Sequence, residues 1–152
     1  MPLGNKERIL VNIEEDLELI TLANNYNGDV GEVDRQFKEP PVGDYEHRSI
    51  YINDIREVRT QLLQDLFKVI FHVGMVLYVN DVDIATLAAS EILSTTINLF
   101  IGDVKTALLD DPTRNDEARN TLITSIMVDT ETVNPPQAAI ILMSEIEYYS
   151  VN

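Results

Sequence analysis

Cysteine is absent from the 152 residues, and histidine occurs only twice, as His47 and His72. Without cysteine the chain has no disulfide framework, no thiolate zinc site and no cysteine nucleophile. Two histidines leave almost nothing from which to build a His-rich metal site or a conventional triad, and neither has a Ser, Asp or second His at recognisable spacing. Basic residues are also scarce. Eleven Lys and Arg face 26 Asp and Glu, giving a formal net charge of −15 and an isoelectric point near 4.3. A general nucleic-acid binder needs clustered Lys and Arg to neutralise phosphates, so the charge balance argues against that class.

Long apolar runs are missing as well. No stretch approaches the ~18 uncharged apolar residues of a membrane span. The start, Met1 to Arg8, has no apolar h-region and meets Glu14, Glu15 and Asp16 soon after, so it does not read as a signal peptide. The expectation is synthesis and retention in a cytosol. Phosphate-binding signatures of the G-x-x-x-x-G-K-[ST] and G-x-G-x-x-G types are absent, and Gly28 and Gly31 read as turn glycines that use positive φ. The calcium-loop pattern is absent too. Asp81 and Asp83, and Asp110 and Asp111, read as helix-end residues, although Asp110 and Asp111 fall where a helix macrodipole disfavours negative charge. A backbone-capping or intersubunit role would account for that placement. No catalytic, cofactor-binding or metal-binding residue is assigned, and the chain does not read as an enzyme.

What is present is enough apolar content, 45%, to bury a core in a single domain over residues 1–152. Ile9, Ile13, Leu17 and Ile20 repeat at helical steps, with acids mainly opposite, predicting a helix that ends near Asn24-Asn25. Turn residues around Gly28 lead to a short strand near Val30 to Phe37. Pro40-Pro41 marks a loop, and Arg48 to Asn53 alternates as a strand. Residues 55–65 stay open: Ile55, Val58, Leu62, Leu66 and Val69 fit a helical stripe. From Phe67 to Val79 seven apolar residues alternate strictly, predicting a long strand from about Leu66 to Asn80.

Asp83 is the expected N-cap of a second helix carrying Ile84, Leu87, Ala88, Leu93, Ile97, Phe100, Ile101, Val104 and Leu108. Gly102 makes a bend in it plausible, and Asp111-Pro112 stops it. Leu122, Thr124, Ile126 and Val128 alternate with Ile123, Ser125 and Met127 as another strand, Asn134-Pro135-Pro136 turns the chain, and Ile140, Leu142, Ile146 and Tyr148 share one face of a last strand. Strands grouped between helices predict an α+β domain, a mostly antiparallel sheet with two helices packed on one face.

Two local patterns go further. Leu19 to Val33, with Ala23-Asn24-Asn25-Tyr26 after an amphipathic helix, is one. Ile101 to Arg114, with Leu108-Leu109-Asp110-Asp111-Pro112 closing the long helix and Ile140 to Tyr149 as a final period-2 strand, is the other. Together they resemble the tail-terminator (tail-completion) proteins of long-tailed bacteriophages across nearly the whole chain. One departure is the loop Thr113 to Asn120, where the family pattern leads one to expect glycine and Arg114-Asn115-Asp116-Glu117 stands instead.

The resemblance implies a virion structural protein, made in the host cytoplasm. It would form a homo-oligomeric ring, a hexamer, that caps the tail tube and joins it to the neck. Tail-tube protein, neck or connector protein and tail sheath would be its neighbours, with residues 34–46 and 129–137 as contact loops. DNA would pass the lumen without specific binding, and acidic residues on the inner wall would let it slide. A head-to-tail connector or neck-completion protein is the related alternative. A small cytosolic binding protein or acid-dependent hydrolase is the alternative from a different class, recognisable by a concave pocket with perturbed carboxylates.

Overall fold

The computed structural model describes residues 4–35, 48–80, 89–129 and 137–151. The first helix, α1, spans Asn5–Glu18 and buries Ile9, Leu10, Ile13 and Leu17. It stops well before Asn24-Asn25, and the reason is local side-chain bonding. Thr21 Oγ1 accepts from Asn24 N, Asp29 accepts from Leu22 N at 2.7 Å, and Asn24 Nδ2 donates to the Leu19 carbonyl at 2.8 Å. Such bonds give the backbone an alternative to the helix ladder. A single 3₁₀ turn, Leu22–Asn24, follows, and Asn25 takes the left-handed conformation at φ 67° as the sequence suggests.

Among the described residues five strands form one sheet in the order β1-β2-β3-β5-β4. They are β1 (Val30–Asp34), β2 (Arg48–Leu63), β3 (Leu66–Asn80), β4 (Asn120–Asp129) and β5 (Gln137–Val151). Only β1 and β2 are parallel; the other three pairings are antiparallel. The strict alternation of β3 is realised over the predicted range, with Val69, Phe71, Val73, Met75, Leu77 and Val79 buried on one face. Ile140, Leu142, Ile146 and Tyr148 of β5 lie beside them.

The second helix, α2, spans Ala89–Asp110, runs unbroken through Gly102, and ends before Asp111-Pro112. Its expected start, with Asp83, Ile84, Leu87 and Ala88, lies outside the described residues. Ile97, Phe100, Val104 and Leu108 join the α1 residues and the inner sheet face in one hydrophobic core. Both helices therefore pack on the same face, and the fold is α+β.

One open stretch is settled and one expectation is corrected. Residues 55–65 do not form a helix. β2 continues through them and returns as β3 by a two-residue turn at Gln64 and Asp65, because from Asp54 to Leu63 all but the bulged Ile55 and Leu62 find a ladder partner in β3. In β4 neither alternating set makes a face. A bulge between Ile123 and Ser125 shifts the phase, so Ile123 and Ile126 turn to the core while Leu122 and Met127 turn away.

Candidate assembly surface

Two ion-paired clasps fix the frame. On α2, buried Asp103 accepts from Asn27 N at 3.1 Å, from Asn27 Nδ2 at 2.7 Å and from Arg48 Nη1 at 3.2 Å. The Arg48 guanidinium also lies 5.2 Å from the centre of the Phe100 ring. These contacts tie the turn after α1 and the start of β2 to the middle of α2. Gly28 belongs to the clasp: a Cβ there would stand 2.6 Å from Arg48 Cζ. Its backbone is not in the positive-φ region, so the sequence reading of a turn glycine is right about the location and wrong about the cause.

The second clasp sits where glycine was expected. Arg114, Asn115 and Asp116 are consecutive left-handed residues, at φ 50°, 59° and 65°. Non-glycine residues tolerate this only when their surroundings over-determine it. Here they do. Arg114 is fully buried, donates from Nη1 to Asp16 Oδ2 at 2.7 Å, and from Nη2 to the Leu108 and Asp111 carbonyls. A guanidinium therefore satisfies two of the carbonyls at the C-terminal end of α2.

Asp111 accepts from Thr113 Oγ1 at 2.6 Å and from Asn115 N at 2.7 Å. The hydroxyl of Thr113 first, and the backbone N–H of Asn115 next, hold its carboxyl below the usual value. The capping role that the macrodipole argument called for is thus carried by Asp111, with Arg114 as counter-charge. Burial pushes the Asp16 carboxyl up despite the guanidinium beside it, and burial also lowers Arg114.

Away from the helices the sheet is open. The face opposite the core carries Tyr51, Tyr78 and Ala139 as a small buried cluster with Val76 against it. Beyond that cluster the apolar side chains are bare: Ile141, Met127, Leu122, Val58 and Tyr149 are all exposed. Ile55, in the β2 bulge, crosses over Gly74, with its Cδ1 2.9 Å from where a Cβ would stand.

Past Tyr51, where pairing with β1 stops, β2 runs on to Leu63 as an edge arm of the sheet, paired to β3, which is itself paired to β5 as far as Leu66. Every residue from Asp54 to Asp65 is exposed, including Leu62 at 48% and Leu63 at 67%. The other edge of the sheet is β4. Periodicity could not have found these surfaces, because an exposed strand and an amphipathic helix can share the same few apolar positions.

The residues weighed for chemistry do not converge. His72 lies on the open face with Nδ1 3.6 Å from Glu145 Oε1, next to the Lys68–Glu147 pair at 3.5 Å. His47, Asp81 and Asp83 lie outside the described residues. Among the described residues no three His, Asp or Glu side chains gather as a metal site, and no helix is long and apolar enough to cross a membrane.

Three open depressions stand out. One of about 510 Å³ runs between α2 and β4, lined by Lys105, Leu109 and Thr121 to Ile126. Polar hollows of about 320 and 340 Å³ flank α1, near Arg35 and Arg119. Glu14 and Asp16, the two carboxyls that burial raises, line none of the three. Each is held by an arginine, Glu14 by Arg35 at 2.7 Å and Asp16 by Arg114.

No family model matches the chain, and no curated protein matches it. Among solved structures, a protein known by a serial designation aligns over 94% of this chain and 96% of its own, at 11% identity and a TM-score of 0.41. A likeness at that level carries no argument.

Proposed function

We propose that this chain is a structural subunit that closes into a ring, and that the ring acts as a tail terminator of a long-tailed bacteriophage, capping the tail tube and meeting the neck. The observation that supports it best is the edge arm of β2. Past the stretch that β1 covers, β2 is a long edge strand with Ile55, Val58, Leu62 and Leu63 in solvent. A lone chain gains nothing by exposing such an edge, since bare edges invite association. A neighbouring subunit gives those side chains a place to be buried. Repeated head to tail, such a contact closes into a ring when its rotation closes.

The clasps suit the same role, because they anchor both helices and leave the arm and the open face as the parts free for contact. The net charge of −15 supports the accessory proposal of an acidic inner wall past which DNA slides. Of the contact loops implied by the resemblance, most of residues 34–46 and 129–137 lies outside the described residues.

Negative-stain electron microscopy of the concentrated protein, alone and added to polymerising tail-tube subunits, tests the proposal. Closed rings, and tubes that stop at a ring, are expected. Rings that bind neck protein while leaving tube growth unaffected would favour the neck-completion alternative. A protein that forms no ring and leaves tube growth unaffected would overturn both.

A further inference from the structure

Among the described residues no strand pairs with the outer edge of β4 or with β2 beyond Tyr51, edges that natural sheets usually blunt. β4 reads Asn-Thr-Leu-Ile-Thr-Ser-Ile-Met-Val-Asp over residues 120–129, with no Pro or Lys and with Asp129 as its one charge. An edge of that composition aggregates unless something pairs with it. At the far side, β2 offers a second bare edge of similar length from Asn53 to Leu63, below the stretch that β1 covers. From residue 54 to 68 the arm carries Asp54, Glu57 and Asp65 against Arg56, Arg59 and Lys68, so its net charge is zero. The whole acidic excess of the chain lies elsewhere. The two bare edges are the places where copies of a strongly negative protein can approach without repelling one another.

From these observations we infer that the joint between neighbouring subunits is a sheet-to-sheet seam: β4 of one copy pairs with the arm edge of β2 of the next. The inference rests on the ring reading above and names the contact that makes the ring.

Direction follows from topology. Between β2 and β4 the sheet makes three antiparallel steps, so the two strands run opposite ways. Rotation about an axis roughly along the strands preserves direction, and the seam is therefore antiparallel. Because β1 occupies β2 at Arg48–Tyr51, β4 must be staggered down the arm. Closing any ring of tilted strands demands such a stagger. Val58, with Ile70 and Glu147 in its row, and Leu122 and Met127 all point to the open face, so the seam continues one apolar stripe across the joint.

The natural chain has no cysteine, which makes the test clean. Val58→Cys, Leu122→Cys, Ser125→Cys and Met127→Cys copies are prepared separately, and a short bis-maleimide is added to each alone and to Val58→Cys mixed with each of the others. The seam predicts covalent dimers in at least one mixture and none in any single variant. Dimers in a single variant would mean like-with-like edge pairing and would overturn the seam. Rings seen by electron microscopy with no cross-link in any mixture would overturn the seam and leave the ring reading standing. Absence of both rings and cross-links would overturn the two together. Hydrogen exchange on the unmodified protein gives a second readout: the seam slows amides in 53–63 and 120–129 on assembly, and unchanged exchange in both stretches contradicts it.

Discussion

The guanidinium of Arg114, with no exposed surface, donates to the carboxylate of Asp16 at 2.7 Å across 98 residues of sequence. This one side chain holds the end of α2 against α1 and satisfies two carbonyls, those of Leu108 and Asp111. Removing one member of a buried pair strands the other and costs about 3–5 kcal/mol. Arg114→Ala is expected to lower the stability by that order in urea unfolding, with the midpoint moving and the slope unchanged. A loss below about 1 kcal/mol would show that the clasp is incidental.

Gly28 and Arg48 are coupled by space. Gly28→Ala places a methyl group against the guanidinium that Asp103 and Phe100 hold, at an expected cost of about 1–3 kcal/mol. In an Arg48→Ala background the obstruction is gone, so the same substitution should cost little. Additive losses in this double-mutant cycle would contradict the close-approach account of Gly28.

Tyr148 donates to Glu57 Oε1 at 3.1 Å across β3, and burial first, then the charge of Glu57, pushes its phenol up to about 12 from 10. A group whose folded pKa is raised contributes stability below its unfolded pKa and loses it as pH rises towards the folded one. Stability should therefore fall by about 2–3 kcal/mol between pH 10 and 12, and Tyr148→Phe should flatten that fall. Ultraviolet titration checks it directly: if no tyrosine signal moves to lower pH when Glu57 is replaced by Gln, the assignment fails.

Asp111 has the opposite sign. Its carboxyl is lowered from 3.8 by hydrogen bonds within the loop, so its contribution is present above that value and is lost as pH falls through the depressed one. Asp111→Ala should destabilise at neutral pH, and its difference from the natural chain should shrink as pH falls below 3.8. Raised Asp16 and Glu14 work the other way, with stability that weakens as pH climbs above their ordinary values of 3.8 and 4.5. A difference for Asp111→Ala that persists undiminished in acid would contradict the hydrogen-bonded loop.

The long strand from Leu66 to Asn80 was legible because burial on one face imposes a strict period of two on its residues, and the α+β class followed from strands grouped between helices. Residues 55–65 stayed open for a physical reason: Ile55, Val58 and Leu62 lie on an exposed edge strand, and bulges at Ile55 and Leu62 break its alternation. The clasps were hidden differently. Asp103 meets Asn27 across 76 residues and Asp16 meets Arg114 across 98, and nothing in local pattern announces such pairs. The misplaced charge of Asp110 and Asp111 at a helix C-terminus was the one clue, and it pointed to the right loop.

The central claim is that the arm exists to join copies, and the mass of the assembled particle tests it most directly. Leu62→Asp with Leu63→Asp alters side chains already in solvent, so the fold should survive within about 0.5 kcal/mol. By native mass spectrometry the natural chain should give one closed species near six times 17.2 kDa, and the arm variant should remain at 17.2 kDa. A natural chain that stays at the single-subunit mass at every concentration, or an arm variant that assembles as well as it does, would contradict the account.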